Sequence, residues 1–291
     1  MNLDALVFRS GVISAVRGFF DARGFTEVDT PVRIAAPAPE THIDCPPVST
    51  GGFLRASPEL QMKKLLAAGL ERIYQIGPCF RDGERGRRHR SEFTMLEWYR
   101  KGVGYLAIKD DLEALLRSLF ERVSRPFSTR TVTVRQMYRD IAGWDPWVSW
   151  DAERFDYDMA VAIEPALKAE GSGIFLFDYP RQAASLARLR GDGADAVAER
   201  WEFYYDGVEI ANCFSELCDA PEQKRRFEAA RVERAALGEA DYPVDEGFLS
   251  CVGEMGEAAG VALGVDRLLM ALTGACDIGE VRMDDVSCAG S

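Results

Sequence analysis

The sequence has few histidines, no Cys-x-x-Cys motif and no long apolar run. Two histidines, and seven cysteines without a Cys-x-x-Cys motif, indicate neither a zinc site nor a disulfide framework. No run of about 18 apolar residues is present that could span a bilayer. The first ten residues include Asp4 and Arg9 and lack the apolar segment of a signal peptide. The sequence therefore predicts a cytoplasmic protein with reduced thiols and no membrane partner.

Linkers, internal repeats and low-complexity segments are also missing from the 291 residues. Their absence predicts a single domain over residues 1–291, which is long enough to bury a substantial core. A net charge of −12 argues against nonspecific binding to nucleic acid. One short segment reverses this charge, because it contains Arg81, Arg85, Arg87, Arg88, His89 and Arg90. Such a run is either a solvated face or the cationic part of a functional site.

Hydrophobic periodicity and turn residues predict alternating helices and hairpins. Apolar residues recur at helical spacing over residues 3–20, and Ser57-Pro58-Glu59 marks the start of another helix. One hairpin is predicted from strands 72–80 and 92–100, and a second from strands 200–206 and 208–216 around Asp206-Gly207. Further helices are predicted at 105–124, 133–142, 158–169, 182–198, 219–237, 244–255 and 265–273, with a last strand at 258–264. The pattern indicates an α+β fold in which helices flank an antiparallel sheet.

Three separated segments carry a recognisable pattern. They are residues 24–31 (GFTEVDTP), residues 80–93, which begin with Phe-Arg and end with Glu-Phe, and residues 260–267 (GVALGVDR). In this order and spacing they resemble motifs 1, 2 and 3 of the class II aminoacyl-tRNA synthetases. Residues 93–99 and 260–268 resemble the lysyl-tRNA synthetases and, more closely, their truncated paralogues, the elongation factor P lysine ligases. This resemblance implies the class II catalytic fold over nearly the whole chain.

The resemblance implies an ATP site built on arginine. Forming an acyl-adenylate brings a carboxylate onto the α-phosphate, so positive charge must converge where two anions repel each other. A planar guanidinium suits this role because it binds phosphate through two hydrogen bonds and stays charged. By resemblance, Arg81 holds the α-phosphate and the substrate carboxylate, and Arg267 holds the γ-phosphate, which makes these two the catalytic residues. Arg88 and His89 approach the β- and γ-phosphates.

Two further residues belong to the expected nucleotide site. Phe93 is expected to stack beneath the adenine, although an inward-facing strand residue is the simpler alternative. Motif 2 usually reads Phe-Arg-x-Glu, but Gly83 stands at the position of that glutamate and Glu84 follows it. Glu84 is therefore the candidate to replace the missing acid near the adenine amino group.

Glu202 and Glu209 lie on either side of the Asp206-Gly207 turn, so a hairpin could bring both carboxylates to one place. Carboxylates together with phosphate oxygens make a Mg²⁺ site, because magnesium prefers hard oxygen ligands. The matching acids of the lysyl-tRNA synthetases hold Mg²⁺. Surface ion pairing is the alternative for these two glutamates.

A lysine substrate carries two ammonium groups, so several acids in one pocket are its expected signature. By resemblance, Glu59 and Glu97 bind the amino group near the reacting end, and Tyr99 and Glu216 bind the distal ammonium. Asn212 matches the asparagine that lies beside the substrate carboxylate and amino group.

Ala262 marks a difference within motif 3, because the lysyl-tRNA synthetases have glycine there and the elongation factor P ligases have alanine. One methyl group in a packed pocket changes discrimination by roughly 1–3 kcal/mol. The resemblance therefore implies (R)-β-lysine as the preferred isomer, with core packing as the alternative explanation of Ala262.

The implied activity is an ATP- and Mg²⁺-dependent ligase that forms an aminoacyl-adenylate and passes the lysine to a lysine side chain of elongation factor P. No tRNA partner is expected, because the anticodon-binding barrel of the lysyl-tRNA synthetases is missing from the sequence. The basic segment around Arg85 and Arg87 could dock the acidic acceptor. We also expect a homodimer, since motif 1 helices of class II enzymes pack about a two-fold axis.

Three alternatives stay open at this stage. One is a truncated lysyl-tRNA synthetase that charges RNA, and another is an ammonia-dependent asparagine synthetase of the same fold. The second would need a cation where Glu216 stands, in order to bind aspartate. The third is a non-catalytic regulator that keeps the synthetase fold, which the departure at Gly83 favours. Against it, Arg81, Arg267 and the Glu202–Glu209 pair are all present.

Overall fold

The computed structural model describes residues 3–169 and 172–283 and is built around a nine-stranded sheet. The strands are β1 (Thr26–Glu27), β2 (Arg33–Ile34), β3 (Phe53–Leu54), β4 (Arg72–Phe80), β5 (Glu92–Lys101), β6 (Thr129–Thr133), β7 (Gly173–Pro180), β8 (Leu189–Arg190), β9 (Val197–Tyr205), β10 (Val208–Ser215) and β11 (Ala258–Gly264). The main sheet has the order β1-β4-β5-β11-β10-β9-β7-β6, with β8 pairing to β9, and β2 and β3 form a separate pair.

Helices cover both faces of this sheet. They are α1 (Leu3–Asp21), α2 (Glu59–Ala67), α3 (Tyr105–Arg122), α4 (Val134–Met137), α5 (Ala152–Asp158), α6 (Glu164–Ala169), α7 (Ala220–Leu237), α8 (Glu246–Leu249) and α9 (Val265–Thr273). Single π-helical turns follow α4 and α5, at Tyr138–Ala142 and Met159–Ile163. Within the described residues, no helix is long and apolar enough to cross a membrane.

The sheet is antiparallel from β4 through β7 and parallel only at its ends, where β1 pairs with β4 and β6 with β7. The predicted α+β class is therefore confirmed. Successive side chains of a strand point to opposite faces, and β5 shows the consequence. Leu96 and Trp98 are buried in the core beneath α1, α3 and α9, whereas Glu97 and Tyr99 point to the opposite face. That opposite face of the central strands carries the candidate site.

Both predicted hairpins are present, as β4–β5 and β9–β10, and the structure also contains the predicted helices over α1, α2, α3, α7 and α9. The prediction of a helix at 182–198 is wrong. That segment contains short 3₁₀ turns at Arg181–Ala183 and Gly193–Asp195 with β8 between them. Gly191 and Gly193 have φ angles of 79° and 65° there, which lie in the left-handed region and interrupt a helix.

The two longer strands β6 and β7 were not predicted, and neither were the two-residue strands β2, β3 and β8. The strand β7 is an unbroken apolar run that is buried on both faces, so it lacks the alternation that identifies a half-exposed strand. The strand β6 joins the sheet edge beside it. The helix predicted at 158–169 begins earlier, at Ala152, because the Asp151 side chain accepts a hydrogen bond from the backbone N–H of Arg154 and caps α5.

Candidate active site

Arg81 directly follows β4, and its side chain lines a cavity of about 120 Å³ together with Glu84, Phe93, Asn212 and Ala262. Its guanidinium carbon lies 5.2 Å from the centre of the Phe93 ring, and Nη1 lies 3.4 Å from Oε1 of Glu84. Strand pairing fixes this arrangement, because Phe93 is opposite Cys79 in the β4–β5 hairpin. A cation, an aromatic face and a carboxylate therefore line one cavity, as a nucleotide site requires.

Arg267, in the first turn of α9, closes the other side of the same cavity, together with Arg88 and His89. Its Nη1 donates to the backbone oxygen of Glu209 at 2.9 Å, and its Nη2 donates to Nε2 of His89 at 2.5 Å. Burial and the nearby Arg267 charge lower the pKa of His89, so the imidazole stays neutral and can accept this hydrogen bond. The guanidinium of Arg267 is thus held by two neighbours before any phosphate binds.

The two predicted metal ligands lie on neighbouring strands but are not directly opposite each other. Glu202 pairs with Asn212 across β9 and β10, and Glu209 pairs with Tyr204. The Glu202 carboxylate accepts hydrogen bonds from Arg200 at 2.5 Å, Tyr179 at 2.5 Å and Tyr204 at 2.7 Å.

Glu209 lies close enough to sense the charge of Glu202. Burial and this neighbouring carboxylate raise the pKa of Glu209. A divalent cation would relieve the repulsion between the two acids, and each carboxylate has about four lone-pair sites, so protein hydrogen bonds do not exhaust them. The oxygen donors of this pair therefore suit Mg²⁺.

The predicted lysine pocket contains a lysine of the protein itself. Lys63 is buried on α2, and its ammonium group contacts the carboxylates of Glu59 and of Glu216, the latter at 2.5 Å. Burial alone would lower the pKa of Lys63, but the charges of Glu216 and Glu59 outweigh that effect and raise it. The ammonium therefore stays charged and joins the two acids, which come from α2 and from the residue after β10.

Glu97 and Tyr99 lie on the same face of β5, at the floor of this pocket. The Glu97 carboxylate accepts hydrogen bonds from Ser57 at 2.6 Å and from Tyr99 at 2.8 Å. Burial, followed by the charge of Glu59, raises the pKa of Glu97 to about 7. The carboxyl group consequently changes its protonation state near neutral pH.

A glycine makes room for this arrangement. Gly260 in β11 faces Tyr99, and a Cβ added there would lie 2.1 Å from the Tyr99 ring and 3.0 Å from Oε1 of Glu216. Only glycine lets the ring lie flat against the strand. The first glycine of the third motif therefore shapes the amino acid pocket.

Ala262 connects the two halves of the site. In the sheet it is opposite Asn212 on one side and Glu97 on the other. The Asn212 side chain is oriented by Arg200, whose Nε donates to Oδ1 at 3.1 Å. Asn212 and Ala262 thus lie between the cavity with the arginines and the pocket with the acids.

The structure brings the predicted residues together in two adjoining groups. The nucleotide group contains Arg81, Glu84, Arg88, His89, Phe93 and Arg267. The amino acid group contains Glu59, Glu97, Tyr99 and Glu216, with Asn212 and Ala262 at the boundary. The sequence interpretation missed Lys63 and Gly260. Lys63 could have been recognised from its i,i+4 spacing to Glu59, which places both side chains on one face of a helix.

Comparisons with known proteins find matches over nearly the whole chain. The family model of the class II tRNA synthetases (D, K and N) matches residues 2–283. The elongation factor P–(R)-β-lysine ligase of Proteus mirabilis is 36% identical over 311 residues, covering 95% of this chain and 93% of its own length. The enzymes of that name from Edwardsiella ictaluri and Vibrio cholerae are 37% and 34% identical, and each alignment covers at least 93% of both chains.

The resemblance drawn from the three motifs is therefore confirmed. The match extends over nearly the whole chain and over nearly the whole of each relative, so it is not limited to a shared nucleotide-binding segment. The chain belongs to the class II tRNA synthetase family and, within it, to the family of the elongation factor P–(R)-β-lysine ligases.

Proposed function

We propose that this protein activates a lysine with ATP and transfers it to a lysine side chain of elongation factor P, with (R)-β-lysine as the preferred isomer. One observation carries the proposal: a pocket of buried carboxylates, Glu59, Glu97 and Glu216, adjoins a cavity of arginines across Asn212 and Ala262. An amino acid with one carboxylate, which can face the arginines, and two ammonium groups, which can face the acids, complements this charge distribution. The names of the relatives supply the acceptor and the isomer.

In the activation step, Arg81 would bind the substrate carboxylate and the α-phosphate together and lower the repulsion between them. Arg267, Arg88 and His89 would hold the β- and γ-phosphates, with Phe93 against the adenine and Glu84 at its edge. Glu202 and Glu209 would hold Mg²⁺, which neutralises phosphate charge when bound. The protein contributes position and fixed charge, and no covalent enzyme intermediate is needed.

At the amino acid end, Glu59 and Glu97 would bind the amino group near the reacting carbon, and Glu216 with Tyr99 would bind the distal ammonium. Ala262 would set the depth between these contacts and the carboxylate. An aspartate substrate suits the pocket poorly. Lys63 is a cation beside Glu216, but two carboxylates already bind it, so it does not offer a charge for a second substrate carboxylate.

The remaining partners follow from the same assignment. Elongation factor P would be the acceptor in place of tRNA, in the cytoplasm, and the net charge of −12 disfavours RNA as a substitute. A homodimer would form through α1, whose Leu3 and Val7 are 65% and 72% exposed, while Val12, Val16, Phe19 and Phe20 of the same helix are buried. A light-scattering mass of one chain would contradict the dimer.

The decisive experiment measures pyrophosphate release with ATP and Mg²⁺ in the presence of α-lysine, (R)-β-lysine or aspartate, each with and without elongation factor P. We expect release with the lysines, faster with the β isomer, and a matching mass increase of the acceptor. Release with aspartate alone would favour the asparagine synthetase. No release with any of the three amino acids would favour a non-catalytic regulator.

A further inference from the structure

A second cavity, of about 590 Å³, meets the nucleotide cavity at Asn212, at the boundary of the amino acid site. It lies between the loop at 39–43, the turn at 181–186 and α7, and Asn212 lines both it and the nucleotide cavity. An adenylate bound against Arg81 would fill the smaller cavity. The larger one would then remain as a path by which an acceptor amine can reach the activated carbonyl.

Glu40 is half-buried in the wall of this second cavity. Its backbone is fixed by the buried Arg234 of α7. Nη1 of Arg234 donates to the backbone oxygen of Glu40 at 2.7 Å and to the backbone oxygen of Ile43 at 3.1 Å. The Glu40 carboxylate, in contrast to the backbone, is not held in place: in the described part of the chain, no hydrogen bond or ion pair holds it. A fixed loop therefore presents a carboxylate that no other group among the described residues binds.

Charged groups from several elements surround Glu40. Burial raises the pKa of its carboxyl group, the nearby Glu59 raises it further, and Arg81, Arg200 and Lys63 act in the opposite direction. The other charged or titratable side chains that line the cavity are His42, Arg181, Arg225, Arg226 and Glu233. A carboxylate of raised pKa is a better proton acceptor than one exposed to water.

We propose that Glu40 is the general base of the transfer step, which takes a proton from the ammonium group of the acceptor lysine. The inference rests on the proposed function, because it requires an aminoacyl-adenylate and an amine acceptor. When Glu40 takes the proton, the nitrogen lone pair is free to form a C–N bond to the carbonyl carbon. The bond between that carbon and the phosphate oxygen then breaks, and AMP leaves with the electron pair. A second proton leaves the nitrogen as the amide forms and passes to the solvent or to AMP, and the amide keeps one N–H.

Apart from His42, which is exposed, the other candidate bases near this position are already engaged. Glu59 and Glu216 bind Lys63, Glu97 accepts from Ser57 and Tyr99, and His89 accepts from Arg267. Glu233 also lines the cavity, but it is exposed and accepts a hydrogen bond from Thr41. It therefore provides a matched control.

The test compares Glu40→Gln and Glu233→Gln with the unaltered protein in three reactions. The first is ATP–pyrophosphate exchange, which reports adenylate formation alone. The second is transfer to Nα-acetyl-lysine amide, whose amine is protonated at pH 7, and the third is transfer to hydroxylamine, whose amine is neutral at that pH. We expect Glu40→Gln to slow only the second reaction, by about 100-fold or more, since general base catalysis contributes factors of that size. Glu233→Gln should match the unaltered protein throughout.

The pH dependence gives an independent signature. With the unaltered protein, transfer to the lysine amide should level off once Glu40 is ionised. With Glu40→Gln, the rate should instead keep rising about tenfold per pH unit, following the fraction of acceptor that is already neutral. Three results for Glu40→Gln would overturn the assignment: equal slowing of transfer to hydroxylamine, an equal loss of ATP–pyrophosphate exchange, or an increased KM for the amino acid that is activated. Each would indicate that Glu40 binds or positions that amino acid.

Failure of the proposed function would look different. An unaltered protein that does not modify elongation factor P, yet forms an adenylate and aminoacylates the small amines, would refute that acceptor alone. The comparison between lysine amide and hydroxylamine would still decide the role of Glu40.

Discussion

Lysine should bind this protein more tightly as the pH rises from 6 to 8, because Glu97 must be ionised to bind an ammonium group. Burial and the charge of Glu59 raise the pKa of Glu97 to about 7. About one-tenth of the Glu97 carboxyls are then ionised at pH 6 and about nine-tenths at pH 8. If only the ionised form binds the substrate, the affinity increases roughly ninefold over this range, or about 1.3 kcal/mol. Binding at pH 7 should also release about half a proton per molecule bound, since about half of the Glu97 carboxyls are protonated at that pH.

Isothermal titration calorimetry without ATP measures both quantities, in two buffers that differ in ionisation enthalpy. Glu97→Gln removes the titrating group, so the difference between the two proteins isolates Glu97 from Glu216, whose pKa burial also raises. Ser57→Ala should move the midpoint to higher pH, because the Ser57 hydrogen bond favours the ionised form. The reasoning would be refuted by an affinity that is constant from pH 6 to 8, or by an unchanged profile in Glu97→Gln.

Three further predictions test other contacts. Lys63→Met should reduce the free energy of unfolding by about 3–5 kcal/mol in urea titrations, because it leaves buried carboxylates without their cation; a loss below about 1 kcal/mol would contradict this. Gly260→Ala should displace the Tyr99 ring beneath the pocket, raise the KM for lysine at least tenfold and lower the free energy of unfolding by about 1–3 kcal/mol. Unchanged kinetics of ATP–pyrophosphate exchange would show that the ring has room for the added methyl group. Charge reversal of Arg85 and Arg87 together should leave exchange with pyrophosphate intact and slow modification of elongation factor P, most clearly at low salt. If Arg122→Glu on α3 slows modification equally, the effect is general electrostatics and not docking.

The parts of the fold that could be predicted are those whose residues act through local rules. The β9–β10 hairpin follows from Asp206-Gly207, which turns through positive φ at both positions. The hairpin β4–β5 follows from two runs of strand-forming residues around a charged loop. By contrast, β7 is decided by its burial between β6 and β9, which depends on distant segments. Residues 182–198 are rich in alanine, and helix propensity outweighed the two glycines in the prediction.

The candidate site divides along a similar line. Arg81, Phe93 and Arg267 lie where their motifs place them, because strand register and a helix start fix their positions. Lys63 was not assigned to the pocket from the sequence. Its burial depends on Glu216, which is 153 residues later in the chain, and no local pattern reveals that contact. The ion pairs between residues far apart in the chain are therefore the part of the site that the sequence could not predict.

Lys63 sets the net charge of the amino acid pocket, and that net charge matches the number of ammonium groups on a lysine ligand. The pocket has three carboxylates, Glu59, Glu97 and Glu216, and one resident ammonium. When all are ionised, two negative charges remain, which equals the two ammonium groups of a lysine. An amino acid with a single ammonium would leave one carboxylate of the pocket without a cation. That carboxylate would either stay charged and unpaired or, as the raised pKa of Glu97 allows, take up a proton. Selection by charge number does not depend on which carbon carries the amino group. The protein can therefore favour amino acids with two ammonium groups by electrostatics, most strongly above pH 7, and leave the choice between lysine isomers to the shape of the wall at Ala262.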